Sequence, residues 1–159
     1  MSVEAVEKNI STDVASWIKE HTPSSVSELR KAALADFQKI GLPASKAEEF
    51  KFTPITRELE KNFNFSQKNS IGTVDPSSLH IEGIEADILF FVNGIFSKEH
   101  SSIKSNKDII ILPLDEALLK HTDLVLANLA KIADTKSDSL AAWNTASFTS
   151  GIFIHVSEN

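Results

Sequence analysis

Apolar residues open the chain at helical spacing. Val3, Val6, Ile10, Val14, Trp17 and Ile18 fall three and four residues apart, which puts them on one helix face. This helix is expected to end near His21-Thr22, because Pro23 disfavours helical geometry in the residue before it. Ser24 or Ser25 is expected to cap a second helix with the stripe Val26, Leu29, Ala33, Phe37 and Ile40, stopping at Gly41. After Gly41-Leu42-Pro43, Ser45 and Glu48 read as a capping box. The stretch Glu49 to Pro54 is too interrupted for a long helix, and Pro54 is expected to open a short one through Leu59 to Phe63.

The pattern then changes. Residues 66–78 are polar, carry Gly72 and Pro76, and read as a loop. His80-Ile81-Glu82 reads as a short strand. Ile88 to Val92, Asn93-Gly94 and Ile95 to Ser97 read as a hairpin, since Asn-Gly takes the positive φ values of a type I′ turn. Asp108 to Leu112 reads as a buried strand ending at Pro113. Helical spacing returns over Pro113–His121 and Asp123–Ala133, and Ser137 is expected to cap a helix through Leu140, Trp143 and Ala146. Gly151 to Val156 closes the sequence as a strand apolar on both faces. Such a strand needs cover on both faces, either from these residues or from a further part of a longer protein.

The expected fold class is therefore α+β, with N-terminal helices, a small hairpin and sheet region, and further helices before the last strand. Residues 1–65 are expected to form a helical region, 66–79 a linker, and 80–159 an α+β region.

Composition narrows the function classes. The formal net charge is −6 and no three basic residues are consecutive, so the phosphate-neutralising stripe of a nucleic-acid reader is missing. The lack of cysteine excludes disulfides, thiolate metal sites and thiol nucleophiles. No secretory signal is expected from the opening residues and no apolar run is long enough for a membrane span, so a cytoplasmic location is expected.

Candidate chemistry is sparse. His21, His80, His100, His121 and His155 are never three or four residues apart, so no helical metal pair exists. Each is expected to be exposed or singly hydrogen-bonded, although His80, His100 or His155 could meet an acid in space and form a small acid/base site. Glu48-Glu49, Asp115-Glu116 and Asp134/Asp138 are the carboxylate pairs. Neighbouring acids on a helix point apart, so they suit helix starts better than acid/base work. There is no G-x-S-x-G and no glycine-rich phosphate loop. Asn93-Gly94 is explained by a turn, and the Asn144 amide beside Thr145 is expected to satisfy buried backbone near the last strand. No catalytic, cofactor-binding or metal residue is assigned.

Three segments, in order, resemble one family. Arg30-Lys31-Ala32 through Phe37, with Gly41-Leu42-Pro43 and Glu48-Glu49-Phe50-Lys51-Phe52-Thr53, is similar to a signature of SufD-type iron–sulfur cluster assembly proteins of the SufB/SufD family. Phe91 to Ser97, with Ser101 beyond, resembles that family's hairpin, and Trp143 to Val156 resembles its entry to the next domain. Phe50 and Phe52 stand where Trp and Tyr are usual, and Trp143 where Leu is usual. These departures favour packing at the three positions. The resemblance implies the amino-terminal part of a longer, non-catalytic scaffold, whose chain continues into a right-handed parallel β-helix and a helical segment. It implies a SufB-like paralogue and a SufC-like ATPase as partners, with cluster-handling residues lying in the β-helix. No cofactor is expected here. The alternatives are a docking module for a sulfur donor or for SufC, and a small enzyme with a histidine–carboxylate site.

Overall fold

The computed structural model describes residues 2–44, 47–62, 75–79, 83–104 and 108–157. These hold six helices and two small antiparallel sheets of two strands, a mostly helical α+β arrangement. The helices are α1 (Val3–His21), α2 (Ser24–Ile40), α3 (Ile55–Asn62), α4 (Leu114–Lys120), α5 (Thr122–Asn128) and α6 (Ser139–Ser147). The strands are β1 (Phe91–Val92), β2 (Ile95–Phe96), β3 (Ile109–Pro113) and β4 (Ile152–Val156). Ser45 of the expected capping box, Phe63, and the expected strand His80-Ile81-Glu82 lie outside the described residues, as does most of the 66–78 loop. The chain divides into two compact units: Met1–Gln67 with Leu126–Phe148, and Lys68–Val125 with Thr149–Asn159.

The first unit is built by α1, α2, α3 and α6. The stripe read from the sequence becomes its core: Val6, Ile10, Val14 and Ile18 of α1 are buried against Ala33, Leu34 and Phe37 of α2, with Ala142 and Ala146 of α6. The alanines let α6 approach α2 closely, and Trp143 fills the remaining space with its ring 5.9 Å from that of Phe37. Burying a side chain such as Phe37 stabilises by roughly 1.5–3 kcal/mol relative to leaving it in water. The α2 stripe differs from expectation at two places: Ile40 is exposed, and Arg30 rather than Leu29 is fully buried.

Helix ends follow local chemistry. The Ser2 hydroxyl accepts from Ala5 N–H at the start of α1. Neither Ser24 nor Ser25 caps α2. Pro23 holds the N-cap position with extended backbone and no side-chain bond. Gly41 ends the helix at φ 76°, where its N–H reaches the Phe37 carbonyl and a side chain would be strained. Pro54 opens α3 by accepting from Glu58 N–H. Asp138, not Ser137, caps α6, because its carboxylate reaches both Leu140 and Ala141 N–H while Ser137 bonds Asp134. The helix expected to run to Ala133 stops at Asn128, and Ala130 turns the chain at φ 55°.

In the second unit, Asn93 (φ 50°) and Gly94 (φ 81°) make the expected turn, pairing Phe91 with Phe96 and Val92 with Ile95. The hairpin is shorter than its apolar run: Ile88 makes only an isolated bridge to Ser102. β3 pairs antiparallel with β4, from Ile109↔Val156 to Pro113↔Ile152. Replacing Phe37 by Ala is expected to lower unfolding free energy by about 3–5 kcal/mol, and Asp138→Ala by about 1 kcal/mol, both read by denaturant titration.

Candidate functional site

Arg30 is the least expected residue of the helical unit, being only 4% exposed. It lies on the buried face of α2, four residues after Val26 and three before Ala33. The guanidinium is held between two rings, 4.4 Å from the centre of Trp17 and 4.1 Å from that of Phe148. Its Nη1 donates to Thr22 Oγ1 (3.2 Å) and its Nη2 to the Phe148 carbonyl (2.8 Å). Nε is buried with no acceptor. Desolvation pushes the group down from its ordinary value to about 10, so it remains charged at neutral pH. A planar cation stabilised by ring faces and a helix-end carbonyl is a structural clamp: it satisfies the orphan C-terminal end of α6 and pins it to α1 and α2.

The Gly41-Leu42-Pro43 segment works in the same way. Gly41 N–H donates to the Phe37 carbonyl, Leu42 N–H to Glu7 Oε1 (2.6 Å), and the Pro43 carbonyl accepts from Thr56 Oγ1 (2.6 Å). Three consecutive residues thus tie α2 to α1 and α3, while the Leu42 side chain enters the core. Further on, Glu48 begins a single 3-10 turn whose N-cap, Ala47, makes no side-chain bond. Phe52 does not pack. It is 90% exposed, with Lys51 Nζ over its ring at 5.5 Å.

Two serines close the hairpin of the second unit. Ser101 Oγ accepts from Phe90 N–H (2.9 Å) and donates to the Ser97 carbonyl (2.6 Å), bridging the open end of the turn. Ser150 Oγ accepts from Phe96 N–H (3.0 Å), fastening the hairpin to the approach to β4. His100 lies beside a mainly apolar open cleft of about 590 Å³ lined in part by Leu79, Ile84, Ile88 and Asp87. Its Nδ1 is 2.7 Å from Ser97 Oγ and 3.3 Å from Glu99 Oε1. A nucleophile–base–acid relay needs its hydroxyl and carboxylate at opposite ring nitrogens. Here both address the same nitrogen and Ser97 is buried, so the trio does not form that relay.

The other candidates stay apart. His21 stacks on Trp17 and its Nδ1 meets the Trp17 carbonyl at 3.3 Å. His121 and His155 flank the Phe153 ring at 5.8 and 6.2 Å, forming a stack over one face of β4. His80 lies outside the described residues. Among the described residues, no three His, Asp or Glu side chains are grouped so as to hold a metal ion. Asp115 and Glu116 occupy the first turn of α4, where a hydrogen bond from Lys120 holds Glu116 below the usual carboxylate range. The Asp134 carboxylate is likewise lowered, first by Ser137 and then by Lys136 N–H. The Asn144 side chain is exposed rather than buried against backbone. No described helix is long and apolar enough to cross a membrane.

Among the described residues, β4 is paired along one edge only, by β3. Ser157 N–H donates to the Asp108 carbonyl and Leu114 N–H to the Gly151 carbonyl, which fixes the alternation of the ladder. Phe153 and His155 therefore direct their backbone groups at β3, and Ile152, Ile154 and Val156 direct theirs outward. Ile154 and Val156 also expose their side chains, at 56% and 61%.

The residues that pattern reading passed over are Arg30, Ser101 and Ser150. Arg30 did carry a signal, a lone charge at helical spacing from Val26 and Ala33. The serines left no periodicity, since a hydroxyl bridging two backbone groups repeats nowhere; only the segments that carry the resemblance included them.

Compared with known proteins, residues 6–159 match the family model described as SufBD protein N-terminal region. No curated protein and no solved structure matches significantly.

Arg30→Ala is expected to destabilise the helical unit by about 2–4 kcal/mol, through a cavity and two lost charge-assisted bonds. Arg30→Lys is expected to recover little of it, because an ammonium cannot lie flat between two rings while reaching two acceptors. Denaturant midpoints of the two variants check both statements.

Proposed function

The chain belongs to the SufBD protein N-terminal region family, and on that premise we propose that it is the non-catalytic amino-terminal part of a SufD-like scaffold for iron–sulfur cluster assembly. It would act with a SufB-like paralogue and a SufC-like ATPase, and the cluster is cargo of the whole assembly rather than a cofactor of these residues. The observation that carries this reading is what the motif residues do. Arg30, Gly41-Leu42-Pro43, Asn93-Gly94, Ser97 with Ser101, and Phe148 all hold backbone in place. Residues kept for chemistry would instead converge on a pocket with their reactive atoms free.

The choice of SufD over SufB rests on the three ordered segments, above all Gly41-Leu42-Pro43 with Glu48-Glu49-Phe50. A second reading, a docking module for a sulfur donor or the ATPase, is favoured by one observation. Phe52 sits inside the first of those segments and is almost wholly exposed. An aromatic side chain held in water is a ready anchor for a partner pocket.

Reconstitution of the isolated chain with iron and sulfide is expected to leave no iron and no cluster absorbance after desalting. Stoichiometric iron retention would contradict the scaffold reading. In capture of the purified ATPase or sulfur donor, Phe52→Ala is expected to leave the unfolding midpoint unchanged. Under the docking reading it also weakens capture by ~tenfold or more; unchanged capture would remove that reading and leave the scaffold reading standing.

A further inference from the structure

We propose that Asn93 is a site of spontaneous deamidation to isoaspartate, and that opening of the β1–β2 hairpin sets its rate. Asparagine is a thermally labile side chain, and its loss is fastest where glycine follows, because no Cβ shields the attacking nitrogen. Asn93 is the only asparagine of the chain with glycine after it.

The turn leaves both reacting groups available. Asn93 and Gly94 are exposed, and neither the Asn93 amide nor the Gly94 N–H bonds another described residue. The space beside Gly94 is open, since a Cβ added there would meet nothing within 4 Å. Asn9 and Asn144 differ: they lie inside α1 and α6, where the following N–H belongs to a helical ladder.

Water is the only co-reactant the step needs. Gly94 N gives its proton to solvent and attacks Asn93 Cγ; the N–Cγ bond forms, the Cγ–Nδ2 bond breaks, and ammonia leaves with a proton from solvent. Water then opens the succinimide at either carbonyl. One opening gives aspartate; the other gives isoaspartate, with an extra methylene in the main chain.

Geometry supplies the gate. The five-membered ring needs Asn93 Cβ eclipsed with Gly94 N about the Cα–C bond. A turn with φ of 50° and 81° at its central residues is of the I′ class, whose ψ at the first position holds those atoms apart. The hairpin must therefore loosen before the ring closes. It has two residue pairs, Phe91↔Phe96 and Val92↔Ile95, a length that pairing alone does not stabilise. Ser101, between Phe90 N–H and the Ser97 carbonyl, and Ser150, on Phe96 N–H, keep it closed. Isoaspartate reverses this: its longer backbone does not fit a two-residue turn, so the register of the pairs is lost.

The test holds the folded 159-residue chain in mildly alkaline buffer. The peptide carrying Asn93 is followed by mass spectrometry, with electron-transfer fragmentation to tell isoaspartate from aspartate. Conversion at Asn93 is expected, mainly to isoaspartate, at least ~tenfold slower than in the same chain in denaturant. Ser101→Ala and Ser150→Ala are each expected to raise the folded-state rate roughly threefold or more, as loss of a hydrogen bond favours the open hairpin. Leu119→Ala, at an exposed position on α4, is expected to leave it unchanged. Asn93→Asp adds the charge without the methylene, and is expected to keep the exchange protection of the Phe96 amide that the isoaspartyl form loses. An Asn93 that stays intact in the folded chain while the denatured chain converts overturns the proposal. So does a rate equal in the folded and denatured chains, or one unmoved by both Ser101→Ala and Ser150→Ala.

Discussion

The helical unit depends on a buried cation with no carboxylate beside it among the described residues. Arg30 is stabilised by the faces of Trp17 and Phe148, a threonine hydroxyl and a helix-end carbonyl. Each of these is a weak partner for a full charge, and one guanidinium nitrogen has none. Burial of a charge is expensive, so the geometry persists only where several elements are fixed at once. Arg30 fixes three: α1 through Trp17 and Thr22, its own helix, and the end of α6 through Phe148. The Gly41-Leu42-Pro43 tie to Glu7 and Thr56 completes the frame from the other end of α2.

The same economy governs the second unit. Its strands are too short to be stable by pairing alone, and hydroxyls supply the missing connections. Ser101 closes the hairpin, Ser150 fastens it, and the His121–Phe153–His155 stack covers one face of β4. Side chains of a type often kept for catalysis are used here to satisfy backbone and to pack. His100 shows this most directly, since Ser97 and Glu99 meet it at one nitrogen.

Local pattern revealed the helices and the turn because their causes are local. The α1 stripe, Gly41, Pro54, Asn93-Gly94 and the strand before Pro113 each depend on residues a few positions apart. Three kinds of feature were beyond that reach. Caps were misplaced by one residue where two polar candidates adjoin, as with Ser137 and Asp138. Helix length was overestimated at α5, where Ala130 takes a left-handed conformation that apolar spacing does not register. The long-range ties, Arg30 to Phe148 and Ser150 to Phe96, join residues far apart in sequence and leave no periodic trace. The expectation that Phe52 packs also failed: it lies in the turn that follows the Glu48–Phe50 segment, and its side chain is 90% exposed. For the last strand, β3 supplied pairing along one edge, while Ile154 keeps an exposed side chain.

On the proposed scaffold reading, the residues carrying the family resemblance maintain architecture rather than perform chemistry. The most direct measurement is cluster assembly by the complete scaffold complex carrying Arg30→Ala, Gly41→Ala or Ser101→Ala, normalised to the amount of intact complex. The account predicts that assembly falls only as the yield of intact complex falls, with activity per complex unchanged. Full yield of intact complex with assembly lost would contradict it.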